Sequence, residues 1–136
     1  MIKIVLVVSF SVLLSACFSM PPRADAWTFW KKKDVVLKAD VERAMLECGY
    51  SMGADRADSD ELRRNYEKYL KESVFFYRCM EKDGFRYTSE LGTACEEDQN
   101  LFECKLPIEQ IPSRDISRRL NGVYCTKFPT AELCKP

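Results

Sequence analysis

The stretch Tyr66 to Phe85, YEKYLKESVFFYRCMEKDGF, decides the fold. Leu62, Tyr66, Tyr69, Leu70, Ser73, Phe76, Tyr77 and Met80 recur at steps of three and four, so they share one side of a helix. Arg63, Arg64, Lys68, Lys71 and Glu72 lie mostly opposite. This division predicts an amphipathic helix with one core face. Asp58 or Ser59 opens it, with Glu61 at capping-box distance from Asp58. It runs to about Lys82, and Gly84 supplies the left-handed residue that ends it. The aromatic stripe reads either as a core face, the commoner use of such a pattern, or as a platform for a ligand.

Working outward, Asp40 to Cys48 reads as a shorter helix. Asp40 is a good N-cap, and the helix start lies there or earlier, near Asp34. Val41, Ala44, Met45 and Cys48 follow at helical spacing, Gly49 ends the helix, and Tyr50 packs back on the core. Phe85-Arg86-Tyr87-Thr88 reads as a brief extended segment, and Cys95 to Pro112 as loop. Ser113 caps a short helix through Leu120, stopped by Asn121-Gly122. No alternating run is long enough for a large sheet. The fold class expected is mainly α: a small disulfide-stapled helical domain with irregular C-terminal segments and a minor β-hairpin.

Seven cysteines are present: Cys17, Cys48, Cys79, Cys95, Cys104, Cys125 and Cys134. The last six are an even set and read as a disulfide framework in an exported chain. Cys48 and Cys79 lie on helices expected to pack together, and Cys95/Cys104 and Cys125/Cys134 share the spacing C-x8-C. Cys48–Cys79, Cys95–Cys104 and Cys125–Cys134 is the first choice, with crossed pairing among the last four as its rival. Zinc is the weaker reading: there is no C-x2-C spacing and no histidine. No metal site is expected. Asp55, Asp58 and Asp60 raise a calcium question, but the EF-hand pattern is absent, and a solvated loop explains them.

Cys17 stands apart because of what precedes it. Lys3 is followed by Ile4 to Leu14, apolar except for Ser9 and Ser11, a secretory h-region too short to span a bilayer. A plain signal peptide cut near Ala16 or Ala24 is one reading. The other follows from Leu14-Ser15-Ala16-Cys17, which resembles the lipobox of bacterial lipoproteins. That resemblance implies cleavage between Ala16 and Cys17, a diacylglycerol on the Cys17 sulfur, and acylation of the new amino group with chains of the palmitate type. It also implies that Phe18, standing where Asp retains many lipoproteins in the inner membrane, sends this one to the outer membrane. Two or three chains make a stable anchor where one does not. The only cofactor-like group expected is this covalent lipid on Cys17. Over roughly residues 27–87, Cys48-Gly49-Tyr50 and Cys79 followed by Gly84-Phe85 are similar to a pattern in small cysteine-rich bacterial lipoproteins, a resemblance that implies no particular activity.

The expected organisation is a signal peptide over 1–16, a lipidated tether over 17–34 and a helical domain over 35–136. Pro21-Pro22 favour an extended tether. Trp27, Phe29 and Trp30 within it read as docking on the domain, with a membrane-interface contact as the alternative. Without Lys3 the mature chain carries 20 basic and 21 acidic side chains, which argues against a nucleic-acid partner. Lys31-Lys32-Lys33, its one basic run, reads as a solvated stretch near the membrane or as a contact with anionic headgroups.

The absence of histidine excludes Ser-His-Asp and Cys-His catalysis. No phosphate loop, G-x-S-x-G, H-E-x-x-H or C-x-x-C is present. Glu96 and Glu97 are a carboxylate pair of the kind a glycosidase uses in a cleft, but with Asp98 they read more simply as exposed loop. No catalytic residue is expected. The expected function is a membrane-anchored, non-enzymatic interaction module with an envelope protein partner. A passive structural lipoprotein of the outer membrane is the alternative, and a small cell-wall-active enzyme a distant third.

Overall fold

A computed structural model describes residues 25–34, 36–51 and 63–136 of the chain. Ala16, Cys17, the lipobox, Pro21-Pro22, the Asp55/Asp58/Asp60 loop and the expected caps Asp58 and Ser59 lie outside the described residues.

The fold is mainly helical, with three disulfides and one small antiparallel sheet. A 3-10 turn, Ala26–Phe29, leads into β1, Trp30–Lys32. Helix α1, Lys38–Glu47, and the long α2, Tyr66–Lys82, follow, then β2, Phe85–Tyr87. The remainder consists of short pieces: α3, Ala94–Glu97; α4, Phe102–Lys105; a 3-10 turn Ile108–Gln110; α5, Ile116–Leu120; α6, Val123–Lys127; and a last 3-10 turn Glu132–Cys134.

Both glycine stops hold. At the end of α1, Gly49 has φ 102°, its N–H donates to Leu46 O at 3.1 Å, and the Tyr50 N–H donates to Met45 O at 2.9 Å. That pair of bonds is the Schellman motif, and it turns Tyr50 back toward the core. Gly84 has φ 87° and donates to Glu81 O at 2.8 Å. The start of α1 differs from the Asp40 cap. Leu37 is the N-cap, its carbonyl takes the N–H of Asp40 and Val41, and Asp40 sits inside the first turn, where a carboxylate faces the positive helix end.

The α2 stripe is half right. Met80 is buried and Phe76 and Tyr77 pack on the core, yet Tyr66 is 60% exposed and Val74, outside the stripe, is buried. The first turns of α2 run past the core. Farther along, α3 and α4 cover a second side of the helix, which one amphipathic face does not anticipate.

The expected hairpin is instead a sheet between distant segments. β1 and β2 pair antiparallel with Trp30 opposite Tyr87, Lys31 opposite Arg86 and Lys32 opposite Phe85. Trp30 thereby enters the core with Val41, Ala44, Met45, Cys48, Cys79, Met80, Phe85 and Ile111. Residues 26–32 therefore belong to the folded unit, and a boundary between 34 and 35 falls inside it.

The expected loop over Cys95 to Pro112 holds two helical turns and a 3-10 turn. Glu96 closes a capping box with Thr93, which explains this carboxylate without a cleft. Arg78 on α2 grips the region: Nη1 donates to the carbonyls of Glu103 (3.1 Å) and Cys104 (2.7 Å), and Nη2 to Leu106 (2.8 Å). One turn later Lys82 donates to Ile111 O at 2.6 Å. These two cations satisfy carbonyls that such short helical pieces leave unpaired. Asp115, not Ser113, caps α5: its carboxylate accepts from the Ser117 N–H at 2.8 Å.

The bridges are Cys48–Cys79, Cys95–Cys104 and Cys125–Cys134, with Cα separations of 5.6, 5.6 and 5.4 Å. The first clamps α1 to α2. The other two close loops of nine residues' separation.

Candidate functional site

The aromatic side chains of four segments converge on one open groove bounded by described residues. α2 contributes Phe76 and Tyr77, the turn after α1 Tyr50, β1 Trp30 and β2 Tyr87. The Trp30 ring centre is 5.1 Å from Tyr87, 5.4 Å from Tyr77 and 5.6 Å from Phe76. Tyr77 stands edge-on to Tyr87 at 4.8 Å, and Tyr50 tilts against Phe76 at 5.4 Å. Such offset and edge geometries suit the quadrupoles of the rings. They also fix the rings in place, so the groove floor is built before any ligand arrives.

Two adjoining depressions form the groove. The larger, about 620 Å³, is lined by Asp25, Ala26, Phe29, Trp30, Met45, Tyr50, Phe76, Tyr77, Tyr87 and Leu91. The smaller, about 250 Å³, shares Tyr50, Phe76 and Tyr77 and adds Tyr69, Glu72 and Ser73. Among the described residues, no cation lines either depression. Leu91 stands at the rim 82% exposed. Burial, and then the neighbouring Tyr87 and Tyr50, push the Tyr77 hydroxyl well above the phenolic range. It stays a neutral donor at physiological pH. The groove offers aromatic faces, neutral hydroxyls and two rim carboxylates, a chemistry that holds apolar or planar groups without negative charge.

The stripe on α2 has two sides. Its inner edges pack on the core, and its outer edges line the groove. Trp30 and Phe29 reach the groove through docking of the N-terminal segment. Tyr87 and Leu91 did not stand out in the sequence. The alternation Phe85-Arg86-Tyr87 is the signal for Tyr87, since it places that ring on the face of buried Phe85.

The six framework cysteines are not gathered into one site. Cys48 and Cys79 border a further depression, which shares Gly49, Ser51 and Glu72 with the smaller one and is also lined by Arg118, while the other two bridges close short loops. Among the described residues, no group of three or more cysteine, aspartate or glutamate side chains is placed to hold a metal ion. No helix among the described residues is long and apolar enough to cross a membrane.

One buried polar cluster escaped the sequence reading. Glu47, at the end of α1, takes Arg119 Nε on Oε1 at 2.8 Å and Arg114 Nε on Oε2 at 2.7 Å. Arg114 continues to Asp83 Oδ2 at 2.9 Å, and Arg119 Nη1 donates to the carbonyls of Leu133 and Lys135. Burial draws the Arg114 guanidinium down, but its hydrogen bonds to Glu47 and Asp83 outweigh this and hold it above its usual value. Every partner here belongs to the protein, so the cluster is a clasp between α1 and the C-terminal segment rather than a ligand site.

Comparison of the chain with family models, with curated proteins and with solved structures returns no match.

Proposed function

We propose that the chain is a bacterial envelope lipoprotein, anchored in the outer membrane by acyl chains on Cys17, that acts as a non-enzymatic interaction module. The observation that carries this reading is the aromatic groove with exposed Leu91 at its rim. A concave site lined by aromatic side chains and a few polar groups is where binding sites are most often found. The partner that fits is an extended segment of an envelope protein with apolar or proline side chains and no net negative charge. Aromatic-lined grooves take such segments, and among the described residues the charged groups lining the groove are Asp25 and Glu72.

The catalytic alternative has less support. Asp25 and Glu72 line different depressions, Asp25 is engaged by Trp27 Nε1 at 3.3 Å and Lys38 at 3.8 Å, and Glu96 serves a helix cap.

The test is a photo-crosslinker placed near the rim of the full chain in native envelopes, with Leu91→Asp as control. Leu91 is exposed, so its replacement leaves the fold intact. The expected result is one stoichiometric crosslinked partner, through an apolar or proline-bearing peptide, lost in Leu91→Asp. Equal recovery from Leu91→Asp, or reproducible recovery of no partner, contradicts the reading and favours a passive structural lipoprotein.

A further inference from the structure

We propose that the outer face of the two-stranded sheet is a second, non-covalent membrane contact, in which Lys31, Lys33 and Arg86 meet anionic lipid headgroups. The inference rests on the reading of Cys17 as an acylated anchor, which places a membrane nearby.

Lys31 and Arg86 stand directly opposite each other in the sheet register, on the face turned away from Trp30 and Phe85, and both are exposed. Like charges facing each other across an antiparallel pair repel. Neither cation has a salt bridge among the described residues, nor has Lys33. The neighbouring cations differ. Lys32, on the inner face, meets Asp83 at 3.6 Å and the Phe85 ring at 4.9 Å. Lys38 meets Asp25 at 3.8 Å, Glu42 at 3.7 Å and the Trp27 ring at 5.5 Å. These pairings occupy the nearby carboxylates: Asp83 is held by Lys32 and Arg114, and Asp25 by Lys38. Asp34, next to Lys33, is the acid that lines the same depression as Lys31, Lys32 and Lys33 among the described residues, so the cations there outnumber it.

Position supplies the occupant. Asp25 opens the described chain only eight residues after Cys17. Eight extended residues reach at most about 29 Å. Lys31 and Lys33 line one shallow depression with Trp27, and an indole is favoured at the membrane–water interface. Exposed lysines and arginines held this close to an anchor are drawn to an anionic leaflet over roughly one Debye length. The outer face of the sheet therefore sits against the leaflet that holds the acyl chains. That orientation fixes how the groove is presented.

The test uses the full acylated chain from its host, reconstituted in phosphatidylcholine vesicles or in vesicles with phosphatidylglycerol replacing part of that lipid. Lysine acetylation rates are read by peptide mass. Lys31 and Lys33 should react about tenfold or more slowly on the anionic vesicles, with the protection lost in about 1 M salt. Lys105 and Lys127 serve as internal controls and should not change. The double variant Lys31→Gln, Arg86→Gln should lose the protection of Lys33. Its thermal midpoint should stay level or rise, because a repulsion is removed. Equal rates on the two vesicles, or a double variant that keeps Lys33 protected, would overturn the proposal. Intact mass of the same sample reads the anchor separately. A bare Cys17 with protected lysines sinks the anchor alone, and an acylated Cys17 with unprotected lysines sinks the headgroup contact alone.

Discussion

The side chain of Glu47 is 5% exposed and that of its ion-pair partner Arg119 is 3% exposed. Such a pair holds only because nearly every oxygen and guanidinium nitrogen around it finds a partner. The Glu47 backbone carbonyl takes part too, accepting from Arg118 Nη1 at 2.8 Å and from the Asp115 N–H at 3.2 Å. Replacing one member leaves the other buried and uncompensated. Glu47→Ala is therefore expected to lower stability by roughly 3–5 kcal/mol, read by urea unfolding with the disulfides intact. A loss near that of an exposed ion pair, about 1 kcal/mol or less, would show that water relaxes the site. Nothing around Glu47 in the sequence marks it, because its partners lie 67 and 72 positions away. A glutamate in a helix reads as solvent-facing until the segment that covers it is placed.

Elements were legible wherever the cause was local. The glycine stops and the C-terminus of α2 follow from neighbours in the chain, and the two short bridges are the first choice of the sequence over a crossed pairing that it left open. The β1–β2 pairing, Val74 and the α5 cap do not, since each depends on which distant segment arrives or on which of several polar residues adopts the cap geometry. The bridges differ in the loops they close. The chain-entropy model assigns about 3.5 kcal/mol to a separation of 31 residues and about 2.5 kcal/mol to a separation of nine. Thermal unfolding of the paired Cys→Ala variants should place loss of Cys48–Cys79 as the most damaging, the more so because these two cysteines belong to the core cluster; a smaller drop than for Cys95–Cys104 or Cys125–Cys134 would contradict this. Asp115 gives α5 a pH signature. Its carboxyl is held below the usual range by the Ser117 hydroxyl first and the Ser117 backbone N–H next. A depressed folded-state value means the contact contributes fully above the unfolded value of about 3.9 and is lost as pH falls through the lower folded one. Asp115→Asn keeps a cap acceptor but not the titration. Its unfolding midpoint should fall less steeply with acid than that of the parent, and an identical slope would remove Asp115 from the account.

At the scale of the molecule, three features meet at one end of the chain: the N-terminal segment folded into the sheet, the aromatic groove that this segment helps to line, and the cationic outer face of the same sheet. Asp25, which lines the groove, stands eight residues after Cys17. The proposed acylation of Cys17 would therefore hold the groove within about 29 Å of a membrane, which makes the anchor part of the proposed function. The groove itself was only half legible. The α2 stripe announced aromatic side chains, but Tyr50, Tyr87 and Leu91 are gathered by tertiary packing that no single periodicity records. The proposed anchor, by contrast, rests on four consecutive residues, Leu14-Ser15-Ala16-Cys17. The most direct test is the intact mass of protein extracted from the membranes of its native host. The account predicts a chain that starts at Cys17, carries acyl mass on that residue, and has six hydrogens fewer than its fully reduced form, in keeping with three bridges. A Cys17 that is unmodified, or joined to another cysteine, would contradict it.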